Sequence, residues 1–239
     1  MLYSKKKTIN IMLNLIKNQL EKSVVPLCLS DDGHKIKLHG SSLYFTYNSK
    51  FYLSTAAHVL YRDDNNTQLC CIDFIYPTGN EFVSLPSFHL AKDENLDICL
   101  LELSVPLQAF IPFDMNNYHF TNSNTHFCCI GYPGKRTKQF KNNSNSILKF
   151  YYTEKETKKA FIKNLQKFEI PLRFIKSKCI RTDGTPIIFP APEGMSGGPL
   201  VAFENGNYLI YGILTRWGDK LKRTMYATVV DYKHLLDNL

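Results

Sequence analysis

Three glycines surround one serine in the stretch Glu193-Gly194-Met195-Ser196-Gly197-Gly198-Pro199-Leu200. Glycine loses more conformational entropy on folding than any other residue, so it is retained where φ must be positive or where a Cβ would not fit. A nucleophilic serine needs such a backbone, because its Oγ must stand free while neighbouring N–H groups converge to hold an oxyanion. The stretch therefore predicts a nucleophile at Ser196; a turn serine in a glycine-rich loop is the alternative.

A histidine and an aspartate in suitable settings precede this serine. His58 comes shortly after the apolar run 51–53, just past the end of a predicted strand, and Asp97 lies at the mouth of the strand-like run 98–103. An imidazole titrates near neutral pH, which suits a general base. A core histidine is the alternative for His58. Asp93 is the second candidate carboxylate, but it lies further from the apolar run and is interpreted as a loop aspartate.

The chain order His58, Asp97, Ser196, with separations of 39 residues (58 to 97) and 99 residues (97 to 196), resembles the chymotrypsin-like (trypsin-fold) serine peptidases. The resemblance spans roughly residues 38–235 and is nearest to the bacterial trypsin-like, HtrA-type branch, where Gly-Tyr-Pro, here 131–133, commonly opens the second barrel. It implies that His58 is the general base and that Asp97 fixes the imidazole tautomer. It also implies an oxyanion hole made by the backbone N–H groups of Gly194 and Ser196.

Short strands separated by turn signals predict an all-β fold, either a barrel or a sandwich. The runs 43–47 and 51–54 predict a hairpin with a tight turn at Asn48-Ser49. Further strands are predicted near 69–76, 80–85, 98–103, 126–131, 171–180, 186–189, 199–203, 208–215 and 225–230. The resemblance implies two six-stranded Greek-key β-barrels, with the active site in the cleft between them.

The chain is predicted to consist of three parts. Residues 1–22 contain an amphipathic helix, residues 23–112 form the first barrel with His58 and Asp97, and residues 113–239 form the second barrel with Ser196. The N-terminal helix is preferred over a secretory signal peptide, since asparagines interrupt the apolar stretch and no small-residue cleavage site follows. A short C-terminal helix is predicted from apolar residues at helical spacing. These are Tyr232, Leu235, Leu236 and Leu239.

The net charge of +8 comes from one segment. Residues 135–181 hold 14 Lys/Arg against 3 Asp/Glu, whereas the remaining residues hold 15 against 18. We interpret this segment as a basic, partly helical, solvated insertion. A docking surface for an acidic partner or a nucleic acid is the alternative.

The seven cysteines favour a reducing compartment. Their number is odd, and most lie in apolar, strand-like runs, so buried free thiols and a cytoplasmic location are predicted. The sequence has no C-x-x-C pair and no apolar run of 18 residues, so neither a structural metal site nor a membrane-spanning helix is predicted.

The resemblance also bears on specificity and activation. It places the substrate pocket at Pro190, Thr215, Arg216, Trp217 and Thr224. No acid stands at the pocket base, Pro190, so small or apolar side chains are expected there and a strict Lys/Arg preference is not. Met195 replaces the aspartate that zymogen-activated members pair with a new N-terminal amine, so activation by N-terminal cleavage is not expected. We hypothesise instead that a rearrangement of the oxyanion loop controls the activity.

These patterns together predict a serine endopeptidase that needs no cofactor and acts on a protein or peptide substrate. Two alternatives stay open. One is a partner-gated or nucleic-acid-gated protease that docks through 135–181, and the other is a catalytically silent binding module on the same fold.

Overall fold

A computed structural model describes residues 20–31, 35–64, 67–70, 75–78, 81–86, 88–93, 95–116, 126–133, 149–154, 160–162, 167–173, 179–181, 194–204, 207–218 and 224–237. The predicted N-terminal helix falls almost entirely outside these residues. Its last part, Glu21–Ser23, is a 3-10 turn that leads into the first strand. The strand predicted at 186–189 also lies outside them.

The N-terminal half forms an eight-stranded sheet with a separate two-stranded ribbon. Its strands are β1 Val24–Asp31, β2 Lys35–Tyr47, β3 Lys50–Ala56, β4 Tyr61–Asp64, β5 Thr67–Cys70, β6 Ile75–Pro77, β7 Phe82–Ser84, β8 Phe88–Asp93, β9 Ile98–Leu103 and β10 Phe113–Asp114. The order in the sheet is β7-β6-β1-β2-β3-β9-β8, with β10 parallel to β2, and β4 pairs with β5.

The C-terminal half forms a second eight-stranded sheet. Its strands are β11 His126–Gly131, β12 Lys149–Glu154, β13 Ala160–Ile162, β14 Lys167–Arg173, β15 Cys179–Arg181, β16 Pro199–Glu204, β17 Asn207–Trp217 and β18 Thr224–Val229. Their order is β13-β14-β18-β17-β16-β11-β12-β15. The predicted all-β, two-unit fold is confirmed. Each main sheet has eight described strands rather than six, and among the described residues neither path of paired strands closes on itself.

The tight turn predicted at Asn48-Ser49 is confirmed. It joins β2 to β3, with φ of 47° at Asn48 and 64° at Ser49. Two successive positive φ values define the type I′ turn, whose twist matches that of the flanking strands. The turn fixes the register of β3, the strand that leads to His58.

The basic segment contributes strands to the second sheet. We predicted it to be partly helical, but every described residue between 135 and 181 lies in β12, β13, β14 or β15. In β14 the side chains of Ile170 and Leu172 are fully buried, and an alternation with period two is typical of a strand packed on a core. The helical prediction depended on the spacing of Glu154 to Lys158 and of Glu156 to Lys159, and all of these residues except Glu154 lie outside the described residues.

The two sheets share an apolar core. One buried cluster contains β1, β2, β3 and β9 side chains together with Ile130, Val201 and Ile213 of the second sheet. The predicted C-terminal helix is present at Tyr232–Asp237, and it buries Tyr232 and Leu236 in the same cluster. Within the described part of the chain, no helix is both long and apolar enough to span a membrane.

Candidate active site

His58 lies at the C-terminal end of β3. Ser54, Thr55 and Ala56 are fully buried at the end of this strand, and His58 follows as the second residue of a four-residue helix, Ala57–Leu60. The strand ends at Ala56, so the imidazole leaves the sheet edge and is 48% exposed. The prediction that His58 stands just past a strand is confirmed.

Asp97 holds His58 and its neighbour Ala57 by three hydrogen bonds. Its Oδ2 lies 2.9 Å from His58 Nδ1, its Oδ1 accepts from the backbone N–H of His58 at 3.1 Å, and its carbonyl accepts from Ala57 N–H at 3.0 Å. Asp97 immediately precedes β9, whose Ile98 pairs with Ala56, so the register of β3 and β9 brings both residues to one end of the sheet. Asp97 has a φ of 53°, which a non-glycine residue adopts only where its surroundings fix it.

Asp93 has a different task. Its Oδ1 accepts from the backbone N–H of Leu96 at 3.0 Å, which closes the turn that leads to Asp97. Asp93 is the last residue of β8, and its side chain supports this turn, whereas the sequence predicted a loop aspartate with no role.

The loop that carries Ser196 contains two glycines in the left-handed backbone conformation. Gly194 and Gly197 have φ of 91° and 83°, conformations that favour glycine. Gly197 N–H donates to Leu214 O at 2.7 Å, and Leu214 N–H donates to Gly198 O at 2.9 Å. The loop is thus joined to β17 directly after the nucleophile candidate.

The same loop lies against the strand that leads to His58. A Cβ at Gly197 would collide with Thr55 Oγ1 and with the carbonyl oxygen of Ser41. Thr55 precedes His58 by three residues, so only a glycine at 197 lets the Ser196 loop approach β3 this closely. The fold therefore brings His58, Asp97 and the Ser196 loop to one place between the sheets.

Ser41, which the sequence did not single out, lies at the centre of this contact. It is fully buried in β2. Its backbone N–H donates to Ser196 O at 2.9 Å, its Oγ donates to Gly194 O at 3.1 Å, and Tyr132 N–H donates to its Oγ at 2.9 Å. The short motif Gly-Ser-Ser at 40–42 gave no signal of this role, because all three contacts are to the second sheet.

The predicted pocket residues lie on β17 and β18. Thr215 and Thr224 are buried, whereas Arg216 is exposed and Trp217 is half-buried. The Thr215 hydroxyl donates to Tyr226 O at 3.4 Å and accepts from Thr228 Oγ1 at 3.4 Å, so its hydrogen bonds run within the second sheet. Pro190 lies outside the described residues.

Arg216 has two partners that its sequence neighbours did not reveal. Its guanidinium lies 2.9 Å from the carboxylate of Glu169 and 3.9 Å from the centre of the Tyr226 ring. Glu169 is almost fully buried on β14, and the hydrogen bond to it raises the pKa of Arg216. These two contacts therefore fix the Arg216 side chain on β17, two residues after Leu214.

Solved protease structures share this fold. Catalytically active tobacco etch virus protease complexed with product aligns with a TM-score of 0.53 at 15% identity, covering 93% of this chain and 80% of that one. The thermostable serine protease AL20 from an extremophilic microorganism aligns with a TM-score of 0.52 at 12% identity, covering 86% and 90%. Protease Anisep from Arthrobacter nicotinovorans aligns with a TM-score of 0.51 at 14% identity, covering 86% and 89%. The architecture is that of the chymotrypsin fold.

The family follows from the sequence match. The trypsin-like peptidase domain model matches residues 40–210, which is most of the chain. No curated protein matches the chain. The chain belongs to the trypsin-like peptidase domain family and is a chymotrypsin-fold serine protease. The narrower resemblance to the HtrA-type branch stays a prediction.

Proposed function

We propose that this protein is a serine endopeptidase in which Ser196 is the nucleophile, His58 the general base and Asp97 the residue that orients the imidazole. The observation that carries the proposal is the 2.9 Å hydrogen bond between His58 Nδ1 and Asp97 Oδ2 beside the loop of Ser196. With Nδ1 donating to the carboxylate, the lone pair of the neutral ring is on Nε2, where it can accept the serine proton.

The reaction consists of two acyl transfers. Ser196 Oγ attacks the peptide carbonyl carbon as its proton passes to His58 Nε2, which forms a tetrahedral oxyanion. The C–N bond then breaks, and the proton on His58 leaves with the amine. Water next attacks the acyl-enzyme, with His58 first accepting and then returning a proton, which releases the acid and free Ser196. Asp97 stays ionised and stabilises the imidazolium through both steps.

The oxyanion would be held by the backbone N–H groups of Gly194 and Ser196. The left-handed φ of Gly194 supports this assignment, because it turns the backbone sharply just before the nucleophile. Backbone donors aimed at the developing charge contribute several kcal/mol of transition-state stabilisation in this chemistry, about 3 kcal/mol for each donor.

Active-site labelling tests the proposal. Wild-type protein, Ser196→Ala and His58→Ala would be treated with a fluorophosphonate probe and analysed by intact mass and peptide mapping. We expect one adduct on Ser196 that the His58→Ala variant forms far more slowly. Ser104→Ala and His234→Ala, which change an exposed serine and an exposed histidine elsewhere, serve as matched controls and should label normally. A folded wild type that takes up no probe would refute the proposal in favour of the binding-module alternative.

The environment of the substrate pocket supports a preference that is not tryptic. Thr215, Trp217 and Thr224 are uncharged, and Arg216 is already paired with the buried Glu169 carboxylate, so these residues offer no carboxylate for a Lys or Arg side chain. The preference for small or apolar residues at the cleaved position would be tested by cleaving a proteome-derived peptide library and aligning the new termini. Enrichment of Lys or Arg at that position would refute it.

A reducing location is supported by the thiols. Cys28, Cys99, Cys128 and Cys129 are all buried thiols. Burial raises the pKa of Cys28 to about 12, so this thiol is protonated and unreactive. Alkylation of the unfolded chain, isolated without reductant, should modify all seven cysteines; a smaller number would argue for disulfides and against the cytoplasmic assignment. Docking of a partner at 135–181 stays a prediction, since most of that segment lies outside the described residues.

A further inference from the structure

The backbone of the Ser196 loop is held at three consecutive peptide groups. The carbonyl of Gly194 accepts from Ser41 Oγ at 3.1 Å, and that of Met195 accepts from Gly198 N–H at 2.9 Å. The carbonyl of Ser196 accepts from Ser41 N–H at 2.9 Å. Because C=O and N–H point in opposite directions across a trans peptide, holding each carbonyl also sets the direction of the N–H in the same peptide group.

Ser41 holds the first and third of these groups. Its hydroxyl has a single proton, and Tyr132 N–H already donates to the oxygen at 2.9 Å, so the proton is directed to Gly194 O. The backbone of Ser41 is fixed in turn, because Thr55 Oγ1 donates to its carbonyl at 2.8 Å. One buried residue of the first sheet thus links the second sheet, the strand before His58 and the nucleophile loop.

The loop offers no charged anchor of its own at this point. Met195 is 1% exposed and packs in the apolar core of the second sheet, so it makes no ion pair. A neutral hydroxyl in a buried contact can hold the loop backbone instead, since leaving a buried carbonyl without a hydrogen bond costs about 1–3 kcal/mol.

From these contacts we propose that Ser41 is a positioning residue for the oxyanion hole. By fixing the carbonyls of Gly194 and Ser196, it sets the peptide groups on either side of the one that carries the Ser196 N–H. The inference rests on the proposed function, because it assigns the residue that holds the backbone on both sides of the Ser196 N–H in that same site.

Labelling kinetics test the inference with a matched control in the next residue. Ser42 is also buried in β2, and its Oγ donates to Val25 O at 3.1 Å, on the side away from the loop. Ser42→Ala removes one buried hydrogen bond to a carbonyl, whereas Ser41→Ala removes one to Gly194 O and one from Tyr132 N–H, so both should lower the thermal midpoint, Ser41→Ala by more. Only Ser41→Ala should slow the reaction of Ser196 with the probe.

The readout is the rate of fluorophosphonate labelling as a function of probe concentration. For Ser41→Ala we expect the maximal rate to fall roughly 10- to 100-fold, while the half-saturating concentration changes by less than about two-fold. Ser42→Ala should keep both values near those of wild type. If Ser41→Ala does not fold, Ser41→Cys replaces it, since a thiol has similar size but donates weakly, and its maximal rate should fall as well.

The outcomes separate the two proposals. A wild type that labels, with Ser41→Ala labelling at the same maximal rate, would overturn the role of Ser41 alone. Equal losses in Ser41→Ala and Ser42→Ala would do the same, because they would mark a general effect of stability. A folded wild type that does not label at all would overturn the proposed function and the role of Ser41 with it.

Discussion

The hydroxyl oxygens of Ser54 and Tyr232 lie 2.8 Å apart in the buried contact between β3 and the C-terminal helix. Tyr232 is fully buried, and its ring meets Phe45 edge-on, with 5.7 Å between the ring centroids. β3 ends two residues before His58. This hydrogen bond therefore ties the last helix of the chain to the strand that positions the proposed general base.

Tyr232→Phe should lower the free energy of unfolding by about 1–2 kcal/mol, because it leaves the buried Ser54 hydroxyl without this partner. Removing both hydroxyls, in Tyr232→Phe with Ser54→Ala, should cost less than the sum of the two single changes. Urea unfolding of the three variants provides the measurement.

Tyr47→Phe is the matched control for that experiment. Tyr47 also donates a hydrogen bond to the C-terminal helix, at Asp237 Oδ1, but in an exposed contact. Its loss should change the urea midpoint much less. Equal effects of Tyr47→Phe and Tyr232→Phe would show that burial of the Ser54–Tyr232 pair is not what stabilises the helix.

The two glycines with positive φ are expected to respond differently to substitution by alanine. Gly197→Ala combines a strained φ with collisions against β2 and β3, so it should unfold the protein or destabilise it by more than about 3 kcal/mol. Gly194→Ala affects a half-exposed loop residue. Its main effect should be on the oxyanion hole, with labelling slowed by roughly 100-fold or more in a folded protein.

Thermal unfolding and fluorophosphonate labelling of the two variants distinguish these effects. If Gly194→Ala labels at the wild-type rate, the oxyanion hole is built from other donors. A folded Gly197→Ala variant with normal stability would mean that the loop does not lie against Thr55 as described.

Much of the fold and site could be predicted from local patterns. The Asn48-Ser49 turn, the alternating strands and the settings of His58 and Asp97 each depend on neighbours within a few residues. The role of Ser41 could not be predicted, because its hydroxyl meets Gly194, which lies 153 residues further along the chain. A serine in a strand has no local pattern that distinguishes a cross-sheet donor from an ordinary core serine.

The basic segment shows how little a local pattern says about tertiary pairing. Residues 155–159, whose charges have helical spacing, lie outside the described residues, and the described parts of the segment are strands, with β12 paired to β11 and β14 paired to β18. Propensity and charge spacing are weak evidence when tertiary pairing supplies the backbone partners. Neither pattern revealed that Glu169 would be buried beneath Arg216, 47 residues away.

Stability should decline in alkaline solution because several acidic protons are buried. Burial raises the pKa of Cys28 from 9.0 to about 12 and that of Tyr208 from 10.0 to about 12. A folded-state pKa above the unfolded value means that the stabilisation is complete below the unfolded pKa and is lost as pH rises through the folded one. Between about pH 9 and 12 we expect Cys28 to contribute a loss on the order of 1 kcal/mol per pH unit. The loss from Tyr208 begins at about pH 10 and should be smaller, because this side chain is only half-buried and solvent screens it.

Urea midpoints from pH 7 to 11 measure this decline. Cys28→Ala, which removes one of the titrating groups, should flatten the curve above pH 9 even if it lowers stability at pH 7. An unchanged slope in Cys28→Ala would show that this thiol ionises equally well in the folded protein.

Two ion pairs allow the effect of carboxylate burial to be isolated. Arg216 and Lys50 have similar side-chain exposure, 54% and 58%, but Glu169, the partner of Arg216, is 4% exposed and Glu102, the partner of Lys50, is 33% exposed. Removing the cationic partner of a buried carboxylate lowers the free energy of unfolding more than removing the partner of a carboxylate in contact with water. Arg216→Gln should therefore lower the free energy of unfolding by about 1–2 kcal/mol after allowance for solvent screening, and Lys50→Gln by less than about 0.5 kcal/mol.

The comparison is made by urea unfolding at low and at 1 M salt. Salt screens exposed pairs more than buried ones, so the small effect of Lys50→Gln should vanish at 1 M salt while most of the effect of Arg216→Gln persists. Equal costs for the two variants, or a cost of Arg216→Gln that disappears with salt, would mean that Glu169 gains little from this partner.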